Sequence, residues 1–130
     1  SDLGGQGMNT DAEPLFVQIA SFVADLIVDG TLKPGEQAPS TNRLAQFHEI
    51  NPATARKGLA LLVDDHVLEK RRGLGMFVRE GAREKVRHQR QESLREDFIV
   101  PLLKEGAALG LSASDIADLI EAEGDHHDAP

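Results

Sequence analysis

The residues able to do chemistry are few, and they gather in the middle of the chain. Arg56 and Lys57 are adjacent in a run that begins Asn51-Pro52, and Lys70, Arg71 and Arg72 follow one another just before Gly73-Leu74-Gly75. Clustered cations, with hydroxyl and amide donors at Ser40, Asn51 and Thr54, suit the binding of phosphate oxygens and base edges rather than the transfer of protons. Catalytic and metal-binding readings find no comparable grouping. The absence of cysteine removes a disulfide framework, a thiolate zinc site and a cysteine nucleophile. His48, His66 and His88 fall on separate segments and His126-His127-Asp128 lies near the chain end, so no histidine pair has helical ligand spacing. Asp64-Asp65 and Glu96-Asp97 are isolated acids, and the glycines of RGLG sit between two short apolar runs rather than between a strand and a helix. No enzyme activity, metal or cofactor is expected.

A net charge of −8 argues at first against a nucleic-acid partner. Its distribution reverses that argument. Residues 1–37 carry −5, residues 38–79 carry +3 and residues 80–130 carry −6. With a Debye length of roughly 8 to 10 Å in physiological salt, distant acids hardly cancel the central basic island. Single-stranded nucleic acid is not expected, because that mode stacks bases on aromatic rings and the chain has five Phe but no Tyr or Trp. No apolar run approaches the roughly 18 residues of a membrane span, no secretory pattern opens the chain, and a cytoplasmic location is expected.

The elements that must position these residues are legible from periodicity and punctuation. Apolar residues at three- and four-residue spacing from Pro14 to about Asp29 predict an amphipathic helix ended by Gly30. TLKPGEQAP, residues 31–39, reads as a turn-rich connection, after which Ser40 caps a short second helix with Leu44, Ala45 and Phe47 on its inner side. Asn51-Pro52 opens a third helix to about Asp65, burying Ala55, Leu59, Leu62 and Val63 and turning Ala53, Arg56, Lys57 and Ala60 outward. Val67 to Arg71 and Met76 to Arg79 form a glycine-tipped hairpin. A long charged helix from Gly81, kinked by Pro101, thickens its stripe through Leu94, Phe98, Ile99, Leu102 and Leu103 and closes at Gly110. Ser112 and Asp115 cap a last helix with Ile116, Leu119 and Ile120 on its apolar face.

The expected fold class is therefore mainly α with a small β-hairpin: a winged helix-turn-helix head followed by a C-terminal helical segment. Residues 1–7 read as the remnant of a cleaved tag, 8–79 as the DNA-binding head, 80–124 as the helical segment, which the family resemblance described next makes a dimerisation or effector segment, and 125–130 as a disordered tail. In such a head the third helix enters the major groove while the wing tip reaches backbone or minor groove.

The run from Pro14 to Val78 resembles the DNA-binding domain of the GntR family of bacterial transcription regulators. The resemblance rests on Pro34-Gly35 ahead of Pro39-Ser40, Leu44-Ala45, the Asn51-Pro52-x-Thr54 start, Arg56, the third-helix leucines and Arg72-Gly73-x-Gly75-x-Phe77-Val78. The remaining helices resemble the YtrA-like subfamily, with a short helical tail in place of a large effector domain. That resemblance implies a ligand-responsive repressor that binds a palindromic operator as a homodimer, with double-stranded DNA, a second copy and a small-molecule effector as partners. A winged-helix protein-interaction module without DNA binding is the alternative.

The candidate DNA-binding residues are Ser40, Arg43, Asn51, Thr54, Arg56, Lys57, Arg72 and Gly73; the candidate dimerisation residues are Leu94, Phe98, Leu102, Ile116, Leu119 and Ile120. Each also has a purely structural use, such as an N-cap for Asn51, turn chemistry for Gly73 and a solvated helix face for Arg56 and Lys57. The chain departs from the family pattern in three places. The second-helix arginine stands one position late, at Arg43, and one helical step turns a side chain by about 100°. Gly58 replaces the usual alanine at roughly 1 kcal/mol of helix propensity, and Met76 replaces a frequent threonine.

Overall fold

The first helix, α1 (Leu15–Val28), forms because its apolar residues repeat on one face, and that face buries Ile19, Ala20, Val23 and Ile27. It ends where expected. Gly30 takes a left-handed φ of +88°, and the chain turns back so that the Leu32 amide bonds the Leu26 carbonyl at 2.9 Å. These features belong to a computed structural model that describes residues 13–128. Residues 1–12, with the expected tag remnant, and residues 129–130 lie outside the described residues.

Two short helices follow, α2 (Thr41–His48) and α3 (Pro52–Asp64). Ser40 caps α2 by accepting from the Arg43 amide at 3.1 Å, and Asn51 caps α3 by accepting from the Ala53 amide at 2.8 Å. The bend between them carries a non-glycine residue in the left-handed region, Glu49 at φ 56°. α3 packs between α1 and α2 through Ala55, Leu59 and Leu62, with Gly58 also buried. Each buried leucine or isoleucine contributes roughly 1.5 to 3 kcal/mol relative to exposure.

β1 (Leu68–Arg71) and β2 (Gly75–Val78) pair antiparallel, Leu68 opposite Val78 and Arg71 opposite Gly75. The preceding loop was expected only to turn, but residues 35–38 run along the other edge of β2. Gly35 donates to the Val78 carbonyl at 2.8 Å, Val78 to Glu36 at 2.9 Å and Ala38 to Met76 at 2.8 Å. Covering that edge satisfies the outward backbone groups of β2.

Next comes α4 (Ala82–Leu94), whose Ala82 and Val86 are buried in the same core. The chain divides into two compact units between Arg87 and His88. The boundary thus lies within α4, later than the expected break near residue 80, because the first turns of α4 complete the core of the head.

In the second unit a π-helical segment, Arg95–Ile99, precedes α5 (Val100–Ala108). The disturbance expected at Pro101 takes this form. Proline lacks an amide to continue the α ladder, and just ahead of it the Val100 amide bonds Arg95, five residues back. Gly110 at φ +80° closes α5, and Ser112 and Asp115 exchange the two bonds of a capping box at 2.9 and 3.0 Å to open α6 (Ala113–Asp128). α6 runs on through Gly124, where disorder was expected from residue 125, and His127 Nε2 lies 3.1 Å from Glu123 on its last turns. Among the described residues no helix is long and apolar enough to cross a membrane.

Candidate nucleic-acid interface

α3 presents an outer face of two cations and two small residues. Arg56, Ala60, Ala53 and Lys57 are all exposed, and at about 100° per residue they span one quadrant with the alanines between the cations. Small residues at that place let a helix backbone approach a groove wall closely. The two cations border different neighbours. Arg56 lines a cleft of about 350 Å³ whose other walls are Ser40, Thr41 and Asn42 of the α2 start and Lys70, Gly75 and Met76 of the hairpin. Lys57 leans the other way, its Nζ 4.1 Å from the centre of the Phe16 ring on α1.

The start of α2 contributes polar groups to the cleft. The Arg43 amide is taken by Ser40 Oγ and the Leu44 amide by the Ser40 carbonyl at 3.0 Å. The amides of Thr41 and Asn42 make no hydrogen bond among the described residues, as the first amides of a helix do not within the helix itself. The start of α3 differs. Pro52 has no amide, Ala53 bonds Asn51 Oδ1, and Thr54 and Ala55 bond the Asn51 carbonyl at 2.9 and 3.2 Å. Asn51 therefore spends its oxygen on the cap and keeps its Nδ2 for another acceptor.

Beyond the cleft stands the hairpin tip. Arg71 is exposed but held against the wing, bonded to Glu69 at 2.9 Å and stacked 4.2 Å over Phe77. Arg72 and Leu74 are exposed on either side of Gly73, whose φ of +75° only glycine adopts readily. No carboxylate among the described residues forms an ion pair with Arg56, Lys70 or Arg72. The cleft floor and the wing tip thus carry uncompensated positive charge, which is what a polyanion requires.

The structure brings Ser40 and Arg56 into one cleft, with Arg72 and Gly73 at the wing tip beyond it. Arg43 lines the adjoining hollow of about 520 Å³ with Phe22, Leu26, Leu32, Leu44 and Phe47, the loop Gln37, Ala38, Pro39 and Ser40 bordering both. Asn42 occupies the cleft in its place, as the one-step rotation requires. Thr54 is half-buried on the far side of Lys57 from Arg56. Lys70 and Gln37, outside the candidate set, also line the cleft. The run of bases marked Lys70, but no local signal marked Gln37, which reaches the cleft through backbone pairing.

In the second unit, Leu94, Phe98, Leu102, Leu119 and Ile120 are exposed, Phe98 to 66%. Ile116, also expected at an interface between copies, is 5% exposed and packs on Gly106 of its own chain, where a β-carbon would come within 2.6 Å of Ile116 Cδ1.

Comparison with known proteins agrees with this geometry. The gntR family of bacterial regulatory proteins matches residues 15–78. An HTH-type transcriptional regulator of Mycobacterium tuberculosis, Rv0494, is 37% identical over 103 residues, 77% of this chain and 43% of that protein. The transcriptional repressor YtrA of Bacillus subtilis is 33% identical over 70 residues, 54% of each chain, which fits the subfamily expectation. The chain thus spans only about half the length of these relatives, or less. Among solved structures, a GntR family regulator from Listeria monocytogenes superposes with a TM-score of 0.72 at 26% identity, covering 86% of this chain and 96% of its own. The DNA-binding domain of AraR, solved in complex with operator ORX1, superposes with a TM-score of 0.50 at 27% identity over 55% of this chain and 86% of its own. The family and these relatives are regulators rather than enzymes. Through residues 15–78, this chain belongs to the gntR family of bacterial regulatory proteins.

Proposed function

We propose that the chain is a transcriptional repressor that binds a two-fold symmetric operator as a homodimer. α3 enters the major groove with Arg56 leading, Asn51 Nδ2 and the Thr41 and Asn42 amides meet flanking phosphates, and Arg72 reaches the adjacent backbone or minor groove. Lys57, Ser40 and Thr54 are secondary contacts at the edges of that footprint. The relatives named as repressors, and the operator complex of the AraR domain, support this reading.

The observation that carries the homodimer is the burial pattern of the second unit. Among its described residues only Gly106 and Ile116 are buried, while Leu94, Phe98, Ile99, Leu102, Leu103, Leu109, Leu119 and Ile120 are all at least 40% exposed. Helices with so little core of their own need a partner to cover that apolar surface. A second copy supplies a complementary face at the same concentration, and its two-fold axis sets two heads on two half-sites. A small-molecule effector would act by biasing the angle between the heads, and work on bacterial DNA puts the protein in the cytoplasm.

Selection of binding sites from a random-sequence duplex pool with the full chain tests the reading. Enriched duplexes are expected to carry inverted half-sites about 10 bp or a multiple of it apart, centre to centre. No enrichment, or enrichment of a solitary half-site, would overturn it.

A further inference from the structure

Gln37 is exposed and lies in no helix, yet it is attached to the wing in several ways. Its backbone bridges Phe77 of β2. Its side-chain Nε2 donates to the Leu74 carbonyl at 2.8 Å, a bond between residues 37 positions apart. It also lies against the open face of Gly75, where a β-carbon would come within 2.5 Å of Nε2. The loop before α2 is thereby fastened to the tip of the hairpin.

The tip needs such a fastening. A ribbon of two four-residue strands is marginal by itself, and its turn is closed by a bond from the Leu74 amide to the Arg71 carbonyl at 2.9 Å. Gly73 and Gly75, at φ +75° and +119°, flank Leu74 and give the backbone wide freedom unless one of its peptides is held from outside. The Gln37 bond holds the peptide that joins Leu74 to Gly75. Gln37 also lines the cleft that contains Arg56, Asn42 and Lys70, so one side chain ties the tip to the walls of that cleft.

We propose that Gln37 is a positioning residue for the wing: by tying the Leu74 peptide to the loop that leads into α2, it presets Arg72 for the duplex. The inference rests on the DNA-binding reading of the wing. Gln37 acts through Arg72 rather than on DNA itself, and its effect is to lower the ordering that the tip must undergo on binding.

A double-mutant cycle tests this with the full chain and the duplex it enriches from a random pool. Gln37→Met keeps the side-chain length and has no donor; because the site is exposed, its thermal midpoint is expected to stay within a few degrees of the parent. Its binding is expected to weaken about three- to tenfold, with the salt slope moving toward that of Arg72→Ala. Arg72→Ala should cost at least about threefold less in the Gln37→Met background than in the parent. Parent-like binding by Gln37→Met, or single losses that simply multiply with an unchanged salt slope, would overturn the strap while leaving the wing reading intact. If Arg72→Ala alone left affinity and salt slope unchanged, the wing reading itself would fall, and the strap with it.

Discussion

The carbonyl oxygen of Phe16 occupies the space that a side chain at Gly58 would need: a β-carbon there would lie 2.7 Å from that oxygen and 2.9 Å from Ile19 Cγ2. The glycine that weakens α3 as a helix is what lets α1 and α3 approach. Gly58→Ala gains about 1 kcal/mol of helix propensity but forces a backbone oxygen to move, and overpacking of a fitted core costs about 1 to 3 kcal/mol. The variant is therefore expected to be less stable than the parent by about 1 kcal/mol in urea unfolding. A more stable variant would show that the helices separate freely.

Asp29, just past the end of α1, accepts from the Thr31 side chain and from the Thr31 amide at 2.8 Å, and Arg83 adds a weaker attraction. These hold its carboxyl below the ordinary value of 3.8. A folded value below the unfolded one stabilises above the unfolded pKa, and the contribution disappears as pH falls through the folded value. Asp29→Asn should be less stable than the parent at pH 7 and should lose less stability on acidification below about pH 4. Parallel stability curves for the two proteins would contradict this.

Much of the head was legible because its signals are local. Asn51-Pro52, Ser40, the Ser112–Asp115 pair and the glycines of the wing each act within a few residues, so spacing alone placed them. What escaped was set by distance or by phase. The pairing of residues 35–38 with β2 and the Gln37 bond to Leu74 join segments far apart in sequence, and no periodicity reports them. Asn42 lines the cleft and Arg43 the hollow beside it because a single helical step turns neighbouring side chains apart. Lys57 read as one face with Arg56, yet the Phe16 ring beside it comes from another helix. Ile116 belonged to the same apolar stripe as Leu119 and Ile120, and only Gly106 across the pair explains why it turned inward.

Phe98 and Leu102 are exposed in the single chain, so replacing either by aspartate removes no core contact of the head. Phe98→Asp is expected to shift the protein from dimer to monomer in sedimentation at micromolar concentration, with the unfolding of the head unchanged. Because two linked heads bind far more tightly than one, operator affinity should fall by at least about a hundredfold. Retention of the dimer would refute the proposed interface.

Salt-dependent binding to the selected duplex tests the central claim most directly. Log affinity falls with log salt by about 0.9 for each phosphate contact, and each chain of a dimer carries its own Arg72. Two chains per duplex are predicted, with Arg56→Ala weakening binding and relaxing the preference at one base position in each half-site. Arg72→Ala should lower the salt slope by about two. One chain per duplex, or parent-like affinity and slope in both variants, would contradict the account.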